Sequence, residues 1–591
     1  MAYLLEGGKR FAASYPHAAA GLGIGEKGAS DPHVERLLES FAFLTARLQM
    51  EVEDQNAGVS KSLLEVLYPD FTTSFPACTV LKTFGPPEGF SSERLPARTT
   101  MTTVSDEGAV CRFQTTADVD VLPLEVVDVS YVGSQSYTLS PDLLRSPWLL
   151  KITIESSATS LQELDLKKLR FYLGGDTLTA MTLFKWLHTY DAETVQPVLV
   201  QPIPGKNNLD PLPQDAFQRV GFEAEEGLLP SSPRVGAVYR LLWDFFQFPQ
   251  KFMFFDVRGL GGVSFDQGQK KFSLLLPLGS AADPERWPLS AKDIALGCVP
   301  AINLFPKTSE PIYLDHKKSL YRLIPDYRLE RFMEIHSISK ISSASDPAAE
   351  AEEIEPYFDY AHSIEAKKDS LFWLQKRERT TMEDTKGTDL FLSFVDYNMD
   401  LKAAQNKTVY AHTLCMNRGL SEKIRVGTLF DVEGQSDDIR AKVIIPTSRP
   451  LYPETEGRMQ WELIHHLSLD HLGLAASVHS AKPLKELLSL YNRGDPALGF
   501  AVEALRNVVF ERRMGLIPGL AWKTLAPVLS VTLNVDEKRG NSQGLILLTM
   551  VLHELFKSRA DFNCLVETNV LGSNSNVLRK WEAEACTGRM I

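Results

Sequence analysis

Three groups of residues in this sequence carry side chains whose types and spacing invite chemistry. His465, His466 and His471 crowd into HHLSLDH beside Asp470, and three imidazoles could serve a zinc ion. Their spacing matches no known ligand set, and an adjacent pair on a helix points in different directions, so they read as structural histidines. His553-Glu554 opens like the zincin HExxH, in which two imidazoles one helical turn apart hold the metal. The fifth position here is Lys557, so the second imidazole is missing. The run Gly21-Leu22-Gly23-Ile24-Gly25-Glu26-Lys27 has the glycines of a phosphate loop, but a Walker loop needs GxxxxGK and then Ser or Thr, after a strand. Glu26 would repel phosphate, which leaves a flexible turn. No GxSxG elbow occurs, and no Cys, His and Asp grouping suggests itself. The expectation is a chain with no catalytic, metal or cofactor residues. The alternative is a metal- or substrate-binding enzyme with an unfamiliar site near His465, His466 and His471.

The longest periodic segment, residues 31–76, carries none of this chemistry and is built to pack. Val34, Leu37, Leu38, Phe41, Leu44, Leu48 and Val52 recur at steps of three and four, one face of a helix that Asp31 caps and Pro32 suits at its first position. Glu35, Arg36, Glu39 and Arg47 fall mostly off that stripe. Burying a Leu or Phe contributes roughly 1.5–3 kcal/mol, enough over these positions to hold the helix against its ordering entropy. Gly58 breaks it. Ser60 then caps a short second helix through Leu63, Leu64, Val66 and Leu67, and Pro69 turns Tyr68 out of helical geometry. Periodicity alone supports two readings of the stripe, an internal core or a helix shared with partner subunits. Phe43 and Met50 make the helix apolar on more than one side, the mark of the second.

With 591 residues the chain exceeds the size at which one hydrophobic core stops growing, so two to four domains are expected. Its 44% hydrophobic, 23% charged and 9% aromatic residues are those of a folded globular protein. A net charge of -13 and a pI near 5.5 argue against a general binder of nucleic acid or anionic membrane. Cys78, Cys111, Cys298, Cys415, Cys564 and Cys586 are scattered without CxxC spacing, which fits reduced thiols in a cytosolic protein. The N-terminus lacks the basic start and apolar run of a signal peptide. The greasiest stretch, residues 544–556, is too short to span a membrane and carries His553 and Glu554, so it reads as a core helix.

After Pro76 the period changes to that of strands. CTVLKTF, ARTTMTTV, AVCRFQTT, VDVLPLEVVDVSYV and WLLKITIE are β-branched runs separated by turn residues, an antiparallel β region. Residues 161–188 read as a strand ending at Gly174-Gly175, then a helix capped by Asp176. Tyr239, Leu242, Phe245 and Phe246 share one helical face, Pro249 ends that helix, and residues 252–255 form an aromatic strand. Residues 298–327 read as a proline-stiffened connection with short strands. Residues 346–359 hold six acidic residues and no basic one, broken by Pro347 and Pro356, and read as a solvated insertion. Beyond it come strands at FLSFVDYNM, VYAHTLCMN and LSVTLNVDE, and helices at WELIHHLSLDHLGL, LKELLSLYN and LILLTMVLHELFKSR. The fold class is α+β, multidomain, with mixed and antiparallel sheets. The expected divisions are an N-terminal helical segment at 1–76, a β-rich domain at 77–215, an aromatic-rich α/β domain at 216–345, an acidic insertion and linker at 346–385, and a C-terminal α+β domain at 386–591.

Several of these stretches also carry a family resemblance. DPHVERLLESFAFLTARLQ, LLEVLYP, LRFYLGGD, GFEAEEGLLP, YRLLWDFFQFPQKFMFFDVRGL, NLFPKTSEPIYLDHKKSLYRLIPD, TLCMNRGL, PTSRP and FNCLVETNV occur in this order. In wording and order the chain resembles the type VI secretion baseplate component TssF over nearly its whole length. Residues 346–359 and the tail after Leu571 match less well. The resemblance implies a structural role without catalysis, in the wedge of a cytoplasmic baseplate docked on the inner-membrane complex, similar to the wedges of contractile phage tails. It implies two copies of the chain flanking one TssG-type subunit, TssE-type and TssK-type subunits as further partners, and a hub beneath sheath and tube. Contact with the membrane would be indirect, and no nucleic-acid partner is implied. It also implies that N-terminal helices of wedge chains share a bundle, which makes Val34, Leu37, Leu38, Phe41, Leu44, Leu48 and Val52 partner-facing and their contacts quasi-equivalent.

The histidine-rich segment gives a direct test. Changing His465→Ala together with His471→Ala is expected to leave metal content at background, as in the unmodified chain. Stoichiometric zinc in the unmodified protein, lost in the double variant, would establish the enzyme alternative.

Overall fold

Alternation of β-branched and polar residues after Pro76 becomes strand through most of the computed structural model. The structure describes residues 11, 13–17, 24–25, 28–29, 33, 36, 40–45, 47, 64–65, 69–86, 90, 92–105, 107–137, 146–157, 160–188, 197–203, 206–213, 215–230, 237–279, 282–315, 318–344, 352–357, 371–395, 407–434, 438–453, 481–493, 496–516, 525–537, 543–560, 563–573 and 576–586. Two compact units result, Met1–Thr72 with Glu454–Ser468, and Thr73–Pro453 with Leu469–Ile591. In the first, helical backbone runs through residues 40–45 and recurs at Leu64 and Glu65, before the 3-10 turn Pro69–Phe71. The glycine run pairs Ile24–Gly25 with Gly28–Ala29 as a hairpin, whereas a Walker loop joins a strand to a helix.

A closed barrel lies at the centre of the second unit. Its strands run Cys298–Ile302, Cys78–Phe84, Arg440–Val443, Leu429–Val432, Thr100–Val104 and Val110–Thr115, and the last returns to the first through Ala301 and Thr115. Leu81, Phe113, Val299, Phe430 and Val443 fill it, with the Phe113 and Phe430 rings edge to face at 5.5 Å. Beside it stand two antiparallel sheets. One has five strands in the order Lys206–Pro211, Val198–Ile203, Lys271–Pro277, Trp148–Ser156 and Leu124–Gly133. The other has four, Phe217–Arg219, Phe254–Arg258, Lys168–Leu173 and Ile294–Leu296.

The helices behave as their patterns require. Asp176 caps Thr177–His188, its Oδ2 accepting from Leu178 N at 3.2 Å. Ala237–Gln247 buries Tyr239, Leu242, Phe245 and Phe246, and Pro249 opens the 3-10 turn that follows. Phe252 belongs to that turn, so the aromatic strand begins at Phe254. Gln543–Arg559 is largely apolar over residues 544–552, and residues 545–553 are all buried. It touches Thr177–His188, Ala237–Gln247 and Pro496–Glu503, and it connects the parallel strands Leu525–Val535 and Leu565–Leu571 of a C-terminal sheet. The outer strands of that sheet are Leu505–Leu516 and Val577–Ala585, so the tail beyond Leu571 contributes a strand.

The largest sheet corrects one expectation. Its main path runs Phe305–Thr308, Thr408–Asn417, Met333–Ala344, Glu352–Pro356, Phe372–Arg379, Thr388–Val395 and Tyr321–Leu323. The acidic stretch is therefore not wholly a solvated insertion. Glu352–Pro356 pairs antiparallel with Met333–Ala344 and parallel with Phe372–Arg379. The reason is alternation: Glu353 and Glu355 share one exposed face while Ile354, 4% exposed, points the other way and enters the core with Phe394 and Val409; Glu352, at the start of the strand, is also exposed. Lys340 pairs with Glu353 at 2.6 Å and Lys407 with Glu352 at 3.1 Å, which offsets the repulsion along the strand.

Shortening this buried side chain, Ile354→Ala, is expected to cost about 2–5 kcal/mol, the range for a large-to-small core change. A lowered urea midpoint would register it, and an unchanged midpoint would return the segment to a solvated insertion.

Candidate assembly interface

The helix read as a packing element exposes apolar side chains. Phe41 is 56% exposed, Leu44 56% and Phe43 69%, three large apolar groups within four residues. Ser40 Oγ donates to Arg36 O and Thr45 Oγ1 to Phe41 O, each at 2.8 Å, the back-bonding of helical Ser and Thr. Phe41 and Leu44, three apart, share a face. Val34, Leu37, Leu38, Leu48 and Val52 lie outside the described residues, as do His465, His466 and His471.

The HExxK group turns out to be a clamp within the core. His553 is fully buried on Gln543–Arg559, its Nδ1 is 2.9 Å from Thr568 Oγ1, and its ring stacks on Trp581 at 4.9 Å. Glu554 accepts from Arg219 at 2.5 Å, and Lys557 donates to Glu584 at 2.7 Å. All three side chains are thus spent on neighbouring strands. Burial lowers the His553 pKa, because desolvation disfavours the charged ring. Among the described residues no group of His, Cys, Asp and Glu could hold a metal ion. All six cysteines are free thiols, and five are buried.

Sequence reasoning passed over two other histidines. His188 is pushed down to about 3 by burial, with Arg579 and Arg219 adding repulsion, and its Nδ1 lies 2.8 Å from Phe184 O. His336 is likewise pushed down to about 3, by burial and by Arg377 and Arg240, and neither ring nitrogen has a hydrogen-bond partner among the described residues. Both stand in runs, FKWLH and MEIHS, whose apolar neighbours foretell burial but not protonation.

This layered arrangement matches solved assemblies. A chain of a TssK-TssF-TssG baseplate subcomplex of the type VI secretion system, determined by cryo-electron microscopy, superposes with a TM-score of 0.74 at 24% identity, over 94% of this chain and 99% of that one. A chain of the type VI baseplate complex gives 0.59 at 21% identity, over 100% and 98%. The fold is that of type VI baseplate chains. A curated relative, the type VI secretion system component TssF1 of Pseudomonas aeruginosa, is 27% identical over 98% of this chain and 97% of its own length. With the model of the family "Type VI secretion system, TssF" matching residues 1–588, the chain belongs to the TssF family.

The two histidines pushed down to about 3 set a pH dependence, and His553, lowered by burial, adds to it in the same direction. Free histidine titrates near 6.5, so between about 6.5 and 3 the unfolded chain binds more protons than the folded one. Their stabilising effect is complete above 6.5 and is lost as pH falls, at about 1.4 kcal/mol per pH unit for each ring. Glu584, held near 2, adds its own loss only below its free value of 4.5. Between pH 7 and 5 the urea midpoint is expected to fall, and His336→Leu to make that fall shallower. An identical fall in the variant would count against His336 as a source.

Proposed function

We propose that the chain is a structural subunit of the type VI baseplate wedge, and that the helix bearing Phe41 and Leu44 is its seam with a TssG-type subunit. The exposure of these residues carries the reading, since an apolar helical face open to water costs solubility until a partner covers it. The full-length family match, and the likeness to a chain of the solved TssK-TssF-TssG subcomplex, support TssG-type and TssK-type partners. In this reading Val34, Leu37, Leu38, Leu48 and Val52 continue the seam. A second copy of the chain, a TssE-type subunit and the hub and sheath complete its neighbours. The chain works in the cytoplasm, at the inner face of the inner membrane, which it reaches only through the membrane complex. Among the described residues no helix is long and apolar enough to cross a membrane. The role is positional and involves no catalysis; the buried pairing of His553, Glu554 and Lys557 favours this.

Changing Leu38→Glu and Phe41→Glu together places two carboxylates in the seam, where each must be desolvated or force the helices apart. The double variant is expected to lose co-purification with the TssG-type subunit while the region after Pro76 stays protease-resistant. Stoichiometric co-purification of the variant would overturn the shared seam, and general protease sensitivity would make the helix ordinary core.

A further inference from the structure

A cleft of about 770 Å³ opens where the outer wall of the barrel meets the four-stranded sheet. That volume falls in the usual range for ligand sites, about 300–1,000 Å³. Its charge is unexpected in a chain of net charge -13. Lys82 and Lys442 stand directly opposite each other on neighbouring barrel strands, an arrangement that like charges disfavour. Their in-line neighbours Leu81 and Val443 fill the barrel, so both lysines project outward, into the cleft that they line with Lys292. None of the three side chains makes a hydrogen bond or ion pair with a described residue. The cleft's carboxylates do not answer them: Asp118 is held by Arg94 at 2.5 Å, and Asp120 faces the same guanidinium at 3.9 Å, which leaves Glu125.

Two further features say what shape would fit. The strand Lys168–Leu173 is paired with Phe254–Arg258 from Lys168 to Tyr172, but with Ile294–Leu296 only from Phe171 to Leu173. Lys168, Leu169 and Arg170 line the cleft and are paired with no strand on that side among the described residues. An open edge of this kind is a template for an added strand. Beside it, Phe84 is 37% exposed and Val426 55% exposed, apolar surface that a small anion would leave uncovered.

We propose that this cleft takes an extended acidic segment of a neighbouring subunit, added as a strand along residues 168–170. Its carboxylates would meet Lys82, Lys442 and Lys292, and its main chain would lie over Phe84 and Val426 on the same outer face. The proposal rests on the assembly reading only for the source of the segment.

The test uses the full chain and a fluorescein-labelled peptide of four Glu-Val repeats, whose alternation puts carboxylates on one face of a strand, with four Lys-Val repeats as control. Saturable binding of the acidic peptide is expected. It should weaken as salt rises, weaken at least tenfold in Lys82→Glu with Lys442→Glu, and weaken less in Lys82→Ala with Lys442→Ala. Amide hydrogen exchange of residues 168–170 should slow when the peptide is bound. The Leu38→Glu, Phe41→Glu variant should bind the peptide normally, so failure of the N-terminal seam and failure of the cleft are read separately. Absent or non-saturable binding, equal affinity in the charge-reversed variant, or unchanged exchange at residues 168–170 would overturn the proposal. Displacement by equimolar inorganic phosphate would overturn it in favour of a small-anion site.

Discussion

Two buried asparagines hold the barrel to the large sheet, and the rest of the second unit is arranged around them. Asn303, just past the barrel strand Cys298–Ile302, donates from Nδ2 to Asn417 Oδ1 at 2.9 Å and to Arg112 O at 2.6 Å. Its Oδ1 accepts from the Asn417 backbone N–H at 2.7 Å, and Asn417 Oδ1 also accepts from Arg112 N at 3.0 Å. Both side chains are fully buried. Away from water, a donor or acceptor left without its partner costs about 1–3 kcal/mol, so barrel and sheet can meet in one register only.

A second polar cluster continues the joint. Glu334, buried in the strand Met333–Ala344, accepts through Oε1 from Ser74 and Thr388 at 2.6 Å each. Arg377 donates to Ile335 O, His336 O and Thr388 Oγ1, while Arg418 donates to Asp389 at 2.9 Å and to Met333 O at 2.8 Å. Guanidinium groups suit the place because one planar fork can serve several carbonyls whose ladder the bulges at Ile335/Ser337 and Ile338/Lys340 have interrupted. Gly387 is required beside them. Its φ is +119°, and a Cβ there would come 2.1 Å from Glu334 Oε2.

Elements specified by local signals could be read from the sequence: the Asp176 cap, the helix ended by Pro249, and the apolar run of Gln543–Arg559. The elements that misled were those whose surroundings are made by tertiary packing. Six acidic residues suggest a solvated insertion until the strands before and after it in sequence, Met333–Ala344 and Phe372–Arg379, flank Glu352–Pro356 and give Ile354 a core to enter with Phe394 and Val409. The amphipathic stripe near Phe41 shows that a face must be covered but not by what, because periodicity specifies direction and leaves the partner open. His553, Glu554 and Lys557 resembled a catalytic motif because one helical turn of spacing serves metal ligands and cross-strand clamps equally well. The closure of the barrel and the asparagine joint left no local trace, since they rest on pairs such as Lys82 with Lys442 and Asn303 with Asn417, separated by more than a hundred residues.

Closure of the barrel has a consequence for how the chain leaves the ribosome. The strands Cys78–Phe84, Thr100–Val104 and Val110–Thr115 emerge early, yet Arg440–Val443, which seals the other edge of Cys78–Phe84, is translated roughly 330 residues later. At about 5–20 residues per second, that interval is on the order of tens of seconds. Throughout it the nascent strands offer unsatisfied edges and apolar faces, the state most prone to sticking to another nascent copy. Cys298–Ile302 pairs with two of these strands on the way, but one edge of Cys78–Phe84 stays open until the last barrel strand arrives. Spacing between neighbouring translating copies should matter to its yield as much as any contact in the finished fold.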